Sequence, residues 1–514
     1  MDWNQWNTYF GEEYLGLLIP LKQVIQAVEA PEKVIPIDEG HAIYYYEREE
    51  LPELSISTYS YSVIPKCFSL LGEKEMARSG IERTQNTLGL TGKDVLVAII
   101  DTGIDWNASF LTKEDGQSRV AAYWDQTGGD GNDENGHGTF LSGLVAEAAP
   151  EAELLVVKLH PANEYLKDFY YIPSQTPCFS EDCIMAGIAF CVAYAKENKR
   201  PIVICLGLGT NNGSHSGSSI LSEYLNNVAE TWGQCVVIAT GNEANKRHHF
   251  YGMSPMNSVE PVEAEINVSN RMGGFYCELW ANAPDLFYVA VKSPSGKAYS
   301  TNYYVEETHQ EYFYPIEDTV VSVDYRSVGR TKGDQLIFIR FMNPKEGIWK
   351  IQVYPGTIFQ GSFHMWLPME AQQLGEVYFI QSNPDVTLTT PSSAQQPIAV
   401  GGYQAGTDAI YVDSGRGYTA DGRIKPDFVA PALEVAGIWL DNEPWSYTGT
   451  SAAAAITAGA CALYMEWGVV QGNKSYLNSV ELGNILARGS NRKSNEIYPN
   501  RMWGYGSLNL YDSF

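Results

Sequence analysis

Four short stretches of the chain hold side chains whose types and settings could do covalent chemistry. In "YTGTSAAAA" (447–455), Ser451 sits behind a Gly-Thr step at the mouth of an alanine-rich run. Alone, that run is a helix start with Thr450 or Ser451 as its cap. A helix start also offers unpaired N–H groups and a positive dipole end, which favour a negative charge forming beside a hydroxyl. In "ENGHGTFLSGLVA", His137 opens an apolar helical pattern between two glycines, which permit close backbone approach and leave the imidazole accessible. In "AIIDTGID", Asp101 directly follows an apolar strand, at the carboxyl edge where open α/β sheets place their sites. Asp105 is its rival, farther into the loop. In "VVIATGNEAN", Asn242 follows another buried strand and a glycine, where its amide could donate to an oxyanion. Each of these residues alone also reads as a turn or capping residue. Together, an Asp, a His and a Ser at strand edges and helix starts form a nucleophilic triad in chain order Asp, His, Ser.

Such a triad needs a rigid sheet to hold it, and the flanking pattern supplies one. "KDVLVAIID", "AELLVVKL", "RPIVICLGLG" and "GQCVVIATGN" are continuous apolar runs, as in parallel strands buried on both faces. Between them lie helical stretches, "EDCIMAGIAFCVAYAKEN" and "SILSEYLNNVAETW". Strands alternating with helices predict a doubly wound α/β unit with helices on both faces. From about 255 to 385 the helical signal stops. "GFYCELWAN", "DLFYVAVKS", "GDQLIFIRF" and "GIWKIQVYP" alternate between Gly, Pro, Asn and Asp turns, which predicts an inserted all-β sandwich or jelly roll. The α/β style then returns and ends in a helix from about 451 to 467. At the start, "PLKQVIQAVEA" has helical spacing and "KVIPI" and "AIYYYE" look like strands, a small α/β unit over residues 1–60. The expected organisation is therefore 1–60, a first catalytic part 61–254, the insert 255–385 and a second catalytic part 386–514.

Bulk properties narrow the partners. A chain of 514 residues exceeds one ordinary core. Lys plus Arg number 34 and Asp plus Glu 61, a net charge of −27, which opposes nucleic acid and anionic membranes. The N-terminus has no basic region before its short apolar run, so it does not read as a secretory signal. No apolar segment reads as reaching the length needed to span a bilayer. The eight cysteines lie mostly in apolar runs and read as reduced core thiols. Cys178 and Cys183 have no partner pair to complete a zinc site, and neither metal nor cofactor is expected.

The stretches "DTGID", "NGHGT", "TGN" and "GTSAAAAITAGACAL" resemble those of the subtilisin-like serine proteases, in the same order, over roughly 61–250 and 388–512. The resemblance implies that Asp101 orients the imidazole, His137 is the base and then the acid, and Ser451 attacks a peptide carbonyl. It implies an oxyanion hole of Asn242 and the Ser451 N–H, and a substrate-pairing edge at Gly207, Leu208 and Gly209. The match on that edge is open by two residues, Leu206-Gly207 or Leu208-Gly209. Ala452 and Ala455 stand where relatives usually carry Met and Pro, and Phe140 where they carry a second His. None of these changes removes a catalytic group.

Residues 1–60 resemble the family's propeptide, an intramolecular chaperone and inhibitor, with self-cleavage expected near Ser60–Tyr61. The insert resembles that of the clostridial Csp-type proteases, which implies a germination role and a cytoplasmic or spore-associated setting. Protein or peptide substrates are the expected partners. The insert has no Ser/His/Asp set and is expected to stiffen the enzyme, with Trp280, Trp349 and Trp366 as core rather than a sugar platform. The alternative function is a silent pseudoprotease that binds a partner.

Overall fold

The computed structural model describes residues 3–20, 31–38, 40–51, 54–70, 79–113, 115–270, 272–300, 308–328 and 333–514. The helical stretch expected at "PLKQVIQAVEA" lies almost wholly outside them.

Among the described residues the central sheet has eight strands. From one edge it runs Val120–Asp125, Glu153–Lys158, Leu96–Asp101, Ile202–Leu206, Gln234–Ala239 and Ile398–Gln404. These are all parallel, as is Phe428–Pro431 beside Ile398–Gln404; the short Ala409–Ile410 is antiparallel. Side chains alternate along Leu96–Asp101. Val97 and Ile99 face a core with helices His137–Ala148 and Thr450–Met465. Leu96, Ala98 and Ile100 face a second core with helices Glu181–Asn198 and Ile220–Glu230. Burial on both faces is why these strands read as unbroken apolar runs.

Helix Thr450–Met465 continues to Val470, a run of 21 residues whose most apolar stretch has mean hydropathy 1.4. By length and composition it could cross a membrane, which corrects the expectation that no apolar segment reaches that length. It is 83% buried in its most apolar window and packs against the sheet as the core helix. It is not the last helix either, since Ser479–Gly489 follows.

The insert is a sandwich of two antiparallel sheets around their own core. Eight of its strands interleave as a jelly roll. His249–Met253, Ser362–Trp366, Gly274–Ala281 and Asp334–Met342 adjoin in one sheet. Ala298–Ser300, Leu286–Lys292, Gly347–Thr357 and Val262–Val268 adjoin in the other. In chain order these are 1-8-3-6 and 5-4-7-2, the double Greek key. The first strand begins ahead of the boundary expected at 255, because His249–Met253 pairs with Ser362–Trp366 along its whole length. Trp280, Trp349 and Trp366 are all buried.

At the N-terminus, Tyr14–Pro20, His41–Glu47 and Lys33–Pro36 form an antiparallel sheet. The boundary expected after residue 60 falls inside this packed unit. Tyr61, Val63 and Ile64 share a core with Leu15, Leu17 and Ile19, and Leu18 N–H donates to Val63 C=O. Cys67 still belongs to that core, and the chain continues from it as strand Cys67–Leu70.

Candidate active site

Asp101 is the last residue of its strand, and His137 is the first of its helix. Asp133 shapes the turn before that helix. Its Oδ1 accepts from the Asn135 and Gly136 N–H groups, and its Oδ2 from Thr139 N–H and Oγ1–H. Gly136 precedes the helix at φ 100°, a left-handed conformation suited to glycine, and a Cβ there would collide with the Trp439 ring. The flanking glycine thus lets the chain turn sharply into His137 beneath an indole.

The three residues meet. His137 Nδ1 lies 2.7 Å from Asp101 Oδ1, and His137 Nε2 lies 3.2 Å from Ser451 Oγ. Asp101 and His137 are each 1% exposed and Ser451 0%. Asp101 Oδ1 also accepts from Thr102 N–H at 2.8 Å, which fixes the carboxylate. Burial pushes up the nearby Cys205 thiol, and the charge on Asp101 adds to the shift. Asp105 is elsewhere. It accepts from the Asn107 and Asp441 N–H groups and makes no bond to His137.

Asn242 lies in the loop after strand Gln234–Ala239. Its Oδ1 accepts from Thr450 N–H at 3.2 Å and from Thr450 Oγ1–H at 3.3 Å. Engaging the oxygen leaves the amide NH₂ as the end that can donate. Thr450 also accepts from Gly241 N–H, so it ties this loop to the start of the Ser451 helix. Sequence reasoning weighed Thr450 only as a cap.

Leu208–Gly209 forms a short strand, antiparallel to Cys67–Leu70. Leu208 stands opposite Leu70, and Gly209 opposite Ser69. On its other side Cys67–Leu70 pairs with Cys178–Ser180, so it fills the slot between two edges. A Cβ on Gly207 would lie 3.0 Å from Ser451 Cβ and 3.2 Å from His137 Cε1. The slot therefore leads to the triad. Its occupant is not the stretch around Ser60–Tyr61, where self-cleavage is expected. Tyr61 is buried, and its hydroxyl donates to Glu278 of the insert, which ties the residues around 60 to that strand.

Sequence reasoning also missed Tyr447, although it lies within the opening stretch. Its hydroxyl is 3.5 Å from Ser451 Oγ, and its ring centroid is 5.4 Å from that of His137. Phe140 packs on it at 4.6 Å, in the place of the usual second His. All eight cysteines are buried free thiols. No cluster of three or more His, Cys, Asp or Glu residues that could hold a metal occurs among the described residues.

Comparison with known proteins agrees with this geometry. A solved structure of the CspB protease of Clostridium perfringens superposes with a TM-score of 0.75 at 25% identity, over 85% of this chain and 95% of that one. The minor extracellular protease Epr of Bacillus subtilis (strain 168) is 29% identical over 198 residues, 36% of this chain and 26% of that protein. A subtilisin-like protease of Coccidioides posadasii (strain C735) is 29% identical over 135 residues, 23% of this chain and 27% of that protein. The chain thus spans about a quarter of the length of these two relatives. The profile of the Subtilase family, peptidase S8, matches residues 92–272 and 374–506, more than half of the chain and both parts that build the triad. The chain belongs to the subtilase family.

Proposed function

We propose that the chain is a serine endopeptidase that hydrolyses protein or peptide substrates through an acyl-enzyme on Ser451. The observation that carries this reading is one imidazole within hydrogen-bond reach of both a buried carboxylate and a serine hydroxyl. His137 Nε2 takes the Ser451 proton as Oγ attacks the scissile carbonyl. Asp101 holds the tautomer with the proton on Nδ1 and stabilises the imidazolium that forms. The Asn242 NH₂ and the Ser451 N–H donate to the oxyanion, supported by the N-terminus of helix Thr450–Met465. His137 then protonates the leaving amine, and water repeats the sequence on the acyl-enzyme. The substrate lies extended along Gly207, Leu208 and Gly209 as an added strand.

The same edge supports self-processing by an N-terminal prosegment that acts as chaperone and inhibitor. Strand Cys67–Leu70 ends with Leu70 opposite Leu208, next to Gly207, where a Cβ would lie 3.0 Å from Ser451 Cβ. The cut is therefore expected in the sequence that follows Leu70, near Gly72. Tethering makes that cut effectively unimolecular. The germination role and the cytoplasmic or spore-associated setting implied by the Csp-type resemblance belong to this reading. N-terminal sequencing of wild type and Ser451→Ala tests it. A new terminus near Gly72 in wild type alone supports it. Equal cutting in both, or an uncut and active wild type, refutes self-processing.

A further inference from the structure

The substrate edge Leu208–Gly209 is held by the chain that follows it, and that chain is held by the insert. Thr210 exchanges both backbone bonds with Thr390, at 3.0 and 2.8 Å. Its Oγ1–H donates to Asn212 Oδ1 at 2.7 Å, and its Oγ1 accepts from Asn212 N–H at 3.2 Å. Asn212 is then gripped at both ends of its amide by insert strand Gly274–Ala281. Tyr276 O–H donates to Asn212 Oδ1 at 3.1 Å, and Asn212 Nδ2 donates to Glu278 Oε1 at 2.8 Å.

Glu278 is fully buried and accepts from three separate parts of the molecule. Gly213 N–H donates to it at 2.9 Å from the substrate-edge loop, and Trp280 Nε1–H at 2.8 Å from the insert. The Tyr61 hydroxyl donates from the prosegment. A charge so buried is tolerable because its lone pairs are satisfied. The strand's alternation explains how it reaches out. Phe275, Cys277 and Leu279 face the sandwich core, while Tyr276 and Trp280 face a second core shared with Tyr61 and Ile64. Farther along the same loop, Trp366 of the insert stacks on His215 at 4.0 Å.

We propose that Glu278 is a positioning residue for peptide hydrolysis. From the insert it sets the geometry of the Leu208–Gly209 edge through Asn212, without touching substrate. This rests on the protease reading above. The test compares two anilides with one leaving group, acetyl-leucine and acetyl-FSLL, the latter copying residues 68–71. Only the longer one lies along the edge. Glu278→Gln keeps the size of the side chain but turns donors on donors. We expect KM for the long anilide to rise about tenfold with kcat nearly kept, as fits unpaired buried donors, while the short anilide is unchanged. Asn212→Ala should shift the same KM in the same direction, should Glu278→Gln fail to fold. Ile339→Val, in the insert core, lowers Tm without moving either KM. Equal losses on both anilides, or an unchanged KM for the long one in both edge variants, overturn the proposal. No Ser451-dependent hydrolysis by wild type would instead overturn the protease reading itself.

Discussion

The parallel sheet and the insert bury their apolar residues in opposite ways. The parallel sheet lies between helices, so its two cores lie on its faces and its strand ends stay free. Asp101 and the Asn242 loop come from those ends, and His137 and Ser451 from helix starts beside them. The insert closes one sheet on another, so its core is internal. Its influence comes from the outer side chains of one strand, Tyr276 and Glu278. In the proposed mechanism, chemistry resides where backbone ends converge, and the insert reaches that region through side-chain hydrogen bonds.

The most severe way to break this contrast is to remove the triad. Ser451→Ala or His137→Ala should each lower kcat by up to about a million-fold, and the double variant should be no worse, because the groups act as a unit. Steady-state hydrolysis of a peptide anilide reads this directly. Asn242→Ala should lower kcat by about 10²–10³ with KM nearly constant, since the amide serves the oxyanion rather than the ground state.

A core change in the insert sharpens the contrast from the other side. Ile339→Val should cost about 1 kcal/mol of stability, seen in chemical denaturation, and leave kcat unchanged.

The smallest expected effect is at the N-terminal sheet. Burial alone would lower the pKa of His41, but its bonds to Asp38 and Glu223 outweigh that and raise it to about 9. Glu223 lies on helix Ile220–Glu230, so this contact joins the N-terminal sheet to the parallel-sheet unit. A raised pKa gives stability that is full below about 6.5 and lost as pH rises through about 9. Asp38, held down at about 2, ionises well below that range. The Tm of uncut Ser451→Ala should therefore fall between pH 6.5 and 9 more than that of the same protein carrying His41→Gln.

Much of this was legible in the sequence. "KDVLVAIID" and "QCVVIAT" became buried parallel strands because burial on both faces leaves an unbroken apolar run. "EDCIMAGIAFCVAYAKEN" became helix Glu181–Asn198. Val120–Asp125 passed unnoticed because it is an edge strand, partly exposed over most of its length. The triad was legible because each member sits in a distinctive Gly-containing turn. The occupant of the substrate slot was not, because Cys67–Leu70 is a short strand whose partners, Cys178–Ser180 and Leu208–Gly209, lie far along the chain. Glu278 was hidden for a related reason. A single carboxylate in "GFYCELWAN" reads as a solvent-facing position, and only the tertiary fold brings Asn212 and Tyr61 to it.

The central claim is that His137 makes Ser451 a nucleophile. Treating the folded protein with a small fluorophosphonate and mapping the adduct by mass spectrometry tests it most directly. A single adduct on Ser451 in wild type, absent from His137→Ala, is the predicted result. No adduct on Ser451, or equal labelling of the two proteins, would contradict it.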